Sequence, residues 1–271
     1  MKTNILANFG KRALIAVTML IAPISLRAGV SLSDFAYNRE GGYYEVRSAQ
    51  DLRNLSVLVN SGNHCFGLTF KLTANVAFDT ISINNFVAIG TSANAFAGTF
   101  DGDGHVISGI NITKRGVTGS DSFQGIFGRN RGLVKNLTLS ASTISGYYYV
   151  GGIVGQNNGG GMVTNCRVMS NVRIYASAAK SLYHGGIVGF NRGTIRKCSS
   201  AATIADNGHS AHCYIGGIAG YNSYYVSECT SSASLCGEYY VEGLVGQNDS
   251  GACTGCHYYG GTIRRYLLAA L

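Results

Sequence analysis

"YVGGIVGQNN", residues 149–158, sets an apolar pair between Gly152 and Gly155 and closes on Asn157. Four variants follow the same plan: "FQGIFGRN" ending at Asn130, "HGGIVGFN" at Asn191, "IGGIAGYN" at Asn222 and "VEGLVGQN" at Asn248. Their framing glycines are Gly125 and Gly128, Gly152 and Gly155, Gly186 and Gly189, Gly217 and Gly220, and Gly243 and Gly246. The second glycine of each pair follows its predecessor by 27, 34, 31 and 26 residues. A repeat of that length, with one supersecondary unit per period, indicates a solenoid.

Other positions recur in step with the glycines. Seven to nine residues beyond each Asn stand Leu137, Cys166, Cys198, Cys229 and Cys256. Leucine and cysteine exchange there, as at an inward position where a free thiol behaves as a small hydrophobe. Three places before the first framing glycine stand Tyr149, Tyr183, Tyr214 and Tyr240, with Ser122 in the earliest repeat. In a parallel β-helix, coils stack about 4.8 Å apart, so equivalent residues form ladders along the axis. The glycines are expected where a Cβ would clash or φ is positive. Each Asn is expected to tolerate a left-handed backbone and to bond the next coil's Asn.

Composition points to the same class. Among 271 residues there are 38 Gly, 17 Tyr, one Pro and no Trp, and 46% are hydrophobic. Abundant turn formers and β-branched residues favour short strands and tight turns. Residues 1–28 carry Lys2, Lys11 and Arg12 ahead of an apolar run and are expected to be a secretory signal peptide. Without them the formal net charge falls from +8 to +4, and the basic residues are scattered, which argues against nucleic acid as a partner. The apolar run belongs to the signal, so no membrane span is expected after cleavage.

"YEVRSAQDLRNLSVLVNSGN" predicts a helix capped by Ser48, with Asp51 closing a capping box, Leu52, Leu55, Leu58 and Val59 on one face, and Gly62 as its stop. Such a helix suits a plug over an open hydrophobic end. The resulting division is a signal at 1–28, a cap helix with first coils at 43–112, repeats at 113–257 and a tail at 258–271. The longest loops are expected around residues 175–180 and 205–212.

The segments GIFG, GIVG, GIVG, GIAG and GLVG, each followed by two residues ending in Asn, resemble the GLUG-motif repeat family of secreted and surface bacterial proteins. The resemblance runs over about residues 43–257. It implies a right-handed parallel β-helix with an N-terminal capping helix, serving as an adhesin-like module on the bacterial outer surface and sometimes attached to a separate enzyme. Zinc metallopeptidases that cleave immunoglobulin A are such hosts, but no HExxH stands in this chain, so that activity does not carry over. After His257 no recognisable anchor follows, so the chain is expected to end in a crude apolar cap over residues 266–271 or to lack a continuation domain.

Candidate chemistry is sparse. "CTGCH", Cys253 to His257, has the spacing of a haem, zinc or redox motif, but Cys256 shares the inward column; the expectation is a core cysteine beside a turn cysteine. "HSAHC" offers His209, His212 and Cys213 without a fourth ligand. Cys213 and Cys236 are in corresponding loops, where an oxidising compartment permits a disulfide. Asp101 and Asp103 in "FDGDGH", beside His105, are read as turn formers, with calcium binding as the functional alternative. No catalytic residue, metal site or cofactor is expected. The tyrosines are the expected ligand-binding residues: Tyr149, Tyr183, Tyr214 and Tyr240 are placed outward by period two, as an aromatic edge for a glycan or a host surface protein. The competing reading of that edge is a self-stacking structural ladder. The alternatives for the whole chain are a polysaccharide lyase or hydrolase-like β-helix enzyme, or a fragment of a larger surface protein.

Overall fold

The computed structural model describes residues 29–114, 118–176, 183–206 and 213–265. The expected signal segment, residues 266–271 and parts of both long loops lie outside these. Within them the chain winds into a parallel β-solenoid of about six turns. Each full coil carries five short strands. One coil, for example, runs through Val154–Asn157, Met162–Thr164, Arg167–Val168, Arg173–Ala176 and Tyr183–Gly185. Equivalent strands stack into sheets of nine, seven, six, five and four members.

The register follows the glycine spacing. Phe127 pairs with Val154, Val154 with Val188, Val188 with Ala219 and Ala219 with Val245, all parallel. Inside, each sheet contributes a column of apolar residues: Phe100, Val134, Val163, Ile195 and Val226 form one, and Ile112, Ile144, Ile174, Ile204 and Leu235 another. Removing each such side chain from water contributes about 1.5–3 kcal/mol relative to exposure. Pairing continues past His257, since Ile263 sits opposite Leu235.

Helix α1, Ala49–Asn60, forms where predicted. The Ser48 hydroxyl accepts the Asp51 N–H at 3.2 Å, and Asp51 returns a bond to the Arg47 N–H at 2.9 Å. Gly62 takes a φ of +109° just beyond the helix. Leu52, Leu55, Leu58 and Val59 are buried in the common core. The helix connects two parallel strands, Tyr43–Val46 and Thr69–Leu72, and fastens to the next coil through Ser56, which donates to the Val87 carbonyl at 2.7 Å. It thereby closes the N-terminal end of the core.

The asparagine ladder is complete. Each amide nitrogen donates to the next coil's amide oxygen: Asn130 to Asn157, Asn157 to Asn191, Asn191 to Asn222 and Asn222 to Asn248, at 2.7–2.9 Å. Backbone groups take the remaining capacity, as where Asn191 donates to the Gly193 carbonyl and accepts the Gly193 N–H. Fully paired amides of this kind are tolerated in a dry interior. The expected left-handed backbone lies elsewhere: positive φ falls at Asn136, Asn165, Lys197, Glu228 and Gly255, one place before the Leu/Cys column. There the chain turns between the nine- and seven-stranded sheets. The framing glycines answer to packing instead. A Cβ on Gly189 would lie 2.5 Å from the Val150 nitrogen and 2.7 Å from the Gly155 oxygen of the coil beneath.

Candidate recognition surface

The tyrosine column forms as a stack. Tyr149 and Tyr183 are 5.5 Å apart at 5°, Tyr183 and Tyr214 are 5.3 Å apart at 14°, and Tyr214 and Tyr240 are 4.6 Å apart at 19°. Strand pairing puts Tyr149, Tyr183 and Tyr214 in register, while Val150, His184, Ile215 and Val241 face fully inward. In the earliest coil the ladder member is Phe123 and not Ser122. Gln124 bridges Val150, so Phe123 stacks on Tyr149 at 4.8 Å and Ser122 is buried. One residue fewer precedes that repeat's apolar pair, which shifts the register by one.

The outward stripe is only half free. A second aromatic step, Phe190 on Tyr221 at 4.8 Å and 3°, meets the first edge-on, with Tyr183 to Phe190 at 5.0 Å and Tyr183 to Tyr221 at 5.3 Å. This second ladder was missed because its position, between framing glycine and Asn, reads Arg129, Gln156, Phe190, Tyr221 and Gln247 along the coils. Tyr149, Tyr183 and Tyr214 are consequently half-buried, whereas Tyr240 is 48% exposed at the end of the row. Burial raises the Tyr183 hydroxyl pKa. A hydrogen bond to Asp249, 2.7 Å away, together with burial, pushes the Tyr221 hydroxyl up to about 12. Cations border the array: the Arg192 guanidinium lies 5.1 Å from the Phe190 ring and that of Arg129 5.3 Å from Phe123. Among the paired tyrosines 147/148, 224/225 and 258/259, Tyr147 is buried, whereas Tyr224 and Tyr259 are well exposed.

The other candidate residues resolve into structure. Asp101 and Asp103 each hold a lysine, Lys135 and Lys71, at 3.0 Å. Burial alone would raise the Asp101 carboxyl, but hydrogen bonds from Asn136, the Asp103 N–H and Lys135 outweigh it and keep the group below its usual pKa. Cys166, Cys198 and Cys229 form the expected buried column above Leu137, with the N–H of each bonded to the sulfur of the next coil at 3.4–3.5 Å, ending at Cys256. Cys253 is not a turn residue. It lies in strand Ala252–Thr254 opposite Val226, an inward register position, and the turn falls at Gly255.

No disulfide joins Cys213 and Cys236, which are both free thiols. Cys213 turns inward to His184, with its sulfur 3.2 Å from Nδ1, while Cys236 lies opposite Ala205 in another sheet. Complete burial holds His184 neutral, its pKa lowered to about 3, and raises the Cys213 thiol. A single hydrogen bond between two neutral groups joins them. His209 and His212 lie outside the described residues, among which no group of three or more His, Cys, Asp or Glu side chains is arranged to hold a metal ion. No helix among them is long and apolar enough to cross a membrane.

These features define a parallel β-solenoid braced by internal amide, thiol and aromatic ladders. Residues 146–172 match the GLUG motif, so the chain carries that motif. A solved structure from Bacteroides ovatus, described as a putative immunoglobulin A1 protease, is similar over 82% of this chain and 83% of its own, with a TM-score of 0.57 and 18% identity. At that identity the likeness bears on fold. No curated protein matches the chain.

Proposed function

We propose that this chain is a non-catalytic recognition module of a bacterial cell surface or secreted protein, in which the aromatic edge binds a glycan or a host surface protein. The observation that carries the reading is the five-ring row from Phe123 to Tyr240, whose final ring is left 48% exposed. Rings stacked on one another present their edges and hydroxyls as a rigid, amphipathic strip at small entropic cost, suited to sugar hydroxyls or a partner's apolar side chains. Arg129 and Arg192 beside the strip favour ligands bearing carboxylates or sulfates.

The enzyme alternative needs a carboxyl held protonated beside an ionised one. The nearest acidic pair lacks that polarity, since Asp101 is held below its usual range and Asp103 is committed to Lys71. The test is a glycan and host-protein array probed with the chain, Tyr240→Ser, and a quadruple variant with Tyr149, Tyr183, Tyr214 and Tyr240 changed to Ser. Graded loss of binding across the two variants, with β-rich circular dichroism retained, is expected. Undiminished binding by the quadruple variant would remove the edge as the site.

A further inference from the structure

Two inward columns end in sulfur at the C-terminal coil. Cys253 continues the column Phe100, Val134, Val163, Ile195, Val226, and Cys256 continues Leu137, Cys166, Cys198, Cys229. Backbone-to-sulfur bonds run up the second column, from the Cys166 N–H to Cys198, from Cys198 to Cys229 and from Cys229 to Cys256, and Cys253 stands at the adjoining inward register position three residues before Cys256. Accessibility divides this chain of sulfurs sharply. Cys166, Cys198 and Cys229 are buried, Cys256 is partly exposed and Cys253 is exposed. Gly255, at a φ of +60°, turns the chain between the strand that holds Cys253 and the position of Cys256, across a two-residue spacer.

We propose that Cys253 and Cys256 are a disulfide-forming pair, oxidised by exchange with a low-molecular-weight disulfide, while Cys166, Cys198 and Cys229 beneath them stay reduced. The thiolate of Cys253, the reachable sulfur, attacks one sulfur of the reagent and expels one thiolate, leaving a mixed disulfide. The Cys256 thiolate, across the Gly255 turn, then attacks the Cys253 sulfur and expels the second. Two protein thiols and one reagent disulfide thus become one protein disulfide and two reagent thiols. The electrons pass to the reagent, and the protons lost by the cysteines pass through solvent to the thiolates released. Partial desolvation on the inward side, and the neighbouring thiols, raise both sulfurs, Cys253 to about 12, so exchange is slow near neutrality. The bridge would staple the last described coil.

The experiment treats the reduced full chain with oxidised glutathione at pH 8.5, blocks remaining thiols under denaturing conditions and maps peptides by mass. The expected result is loss of two hydrogens in the peptide holding Cys253 and Cys256, with Cys166, Cys198 and Cys229 alkylated. In Cys256→Ser, glutathione should instead remain attached to Cys253. A bridge reaching Cys229, persistent glutathione on Cys253 of the parent chain, no adduct in the variant, or both thiols still fully alkylated after a day would each overturn the proposal.

Discussion

The two ends of the solenoid solve the same problem differently. At the N-terminal end the core is filled by large rings, with Phe70, Phe86, Phe96, Phe100 and Phe127 fully buried, and α1 lays four apolar side chains across it. At the C-terminal end of the described residues the columns continue in smaller residues: Leu244, Val245 and Cys256 are partly buried, and Ile263 is 39% exposed. A coil gains its stability from the neighbour on either side, and among the described residues the last coil has one such interface where the middle coils have two. The same residue type should therefore matter by very different amounts according to its position along the axis.

The sharpest contrast should come from the glycines. Gly189→Val forces a branched side chain against the backbone of the coil beneath, and is expected to cost about 4 kcal/mol or more in urea denaturation. Gly246→Val meets the same kind of obstruction, 2.6 Å from the Ile215 nitrogen, but should fray only the final coil, at about 1 kcal/mol. Equal losses would mean that the solenoid unfolds as a single body.

Acid should act on the middle coils through His184. Its pKa falls from the ordinary value near 6.5 in the unfolded chain to about 3 in the fold. Between those values the unfolded chain binds the extra proton, so stability is full above pH 6.5 and declines as pH drops, by about 1.4 kcal/mol per unit. His184→Ile, copying Ile215 in the same column, should flatten that window in a denaturation series from pH 7 to pH 4. An unchanged slope would place the acid sensitivity elsewhere.

Truncation of the core should repeat the pattern on a smaller scale. Leu55→Ala beneath the helix is expected to cost about 3 kcal/mol, and Ile263→Ala at the far end well under 1 kcal/mol, by melting or urea midpoint. Smallest of all should be the amides. Asn157→Ala strands a buried donor on Asn130 and a buried acceptor on Asn191, for about 2 kcal/mol, whereas Asn248→Ala costs about 0.5 kcal/mol because water reaches that site. Hydrogen exchange of the strand amides around each substitution would locate the damage.

Most of the scaffold was legible in the sequence, because stacking forces equivalent residues into equivalent environments and so writes the same letters at every turn. Asn130, Asn157, Asn191, Asn222 and Asn248 could be aligned by eye, as could the cysteines. Legibility failed where a column tolerates several chemistries. Positive φ is carried by Asn, Lys, Glu and Gly in successive coils, so the conspicuous ladder asparagines drew an expectation that belonged one turn away. It failed also at Phe123, where a single missing residue moved the register, and at His184 with Cys213, whose contact joins positions 29 residues apart through the interior. The candidate surface was half legible: the tyrosine row was found, but Phe190 and Tyr221, which consume part of its face, were not.

All the amides in the asparagine ladder point the same way, each giving its hydrogen toward the C-terminal neighbour. Such a file has no tolerance for a fractional step. A segment can be gained or lost from the middle of this molecule only as an entire winding, with donor and acceptor rejoined across the seam, while the stretches that vary from 26 to 34 residues absorb all smaller changes outside it. Lengthening or shortening of this scaffold over generations is in that sense quantised.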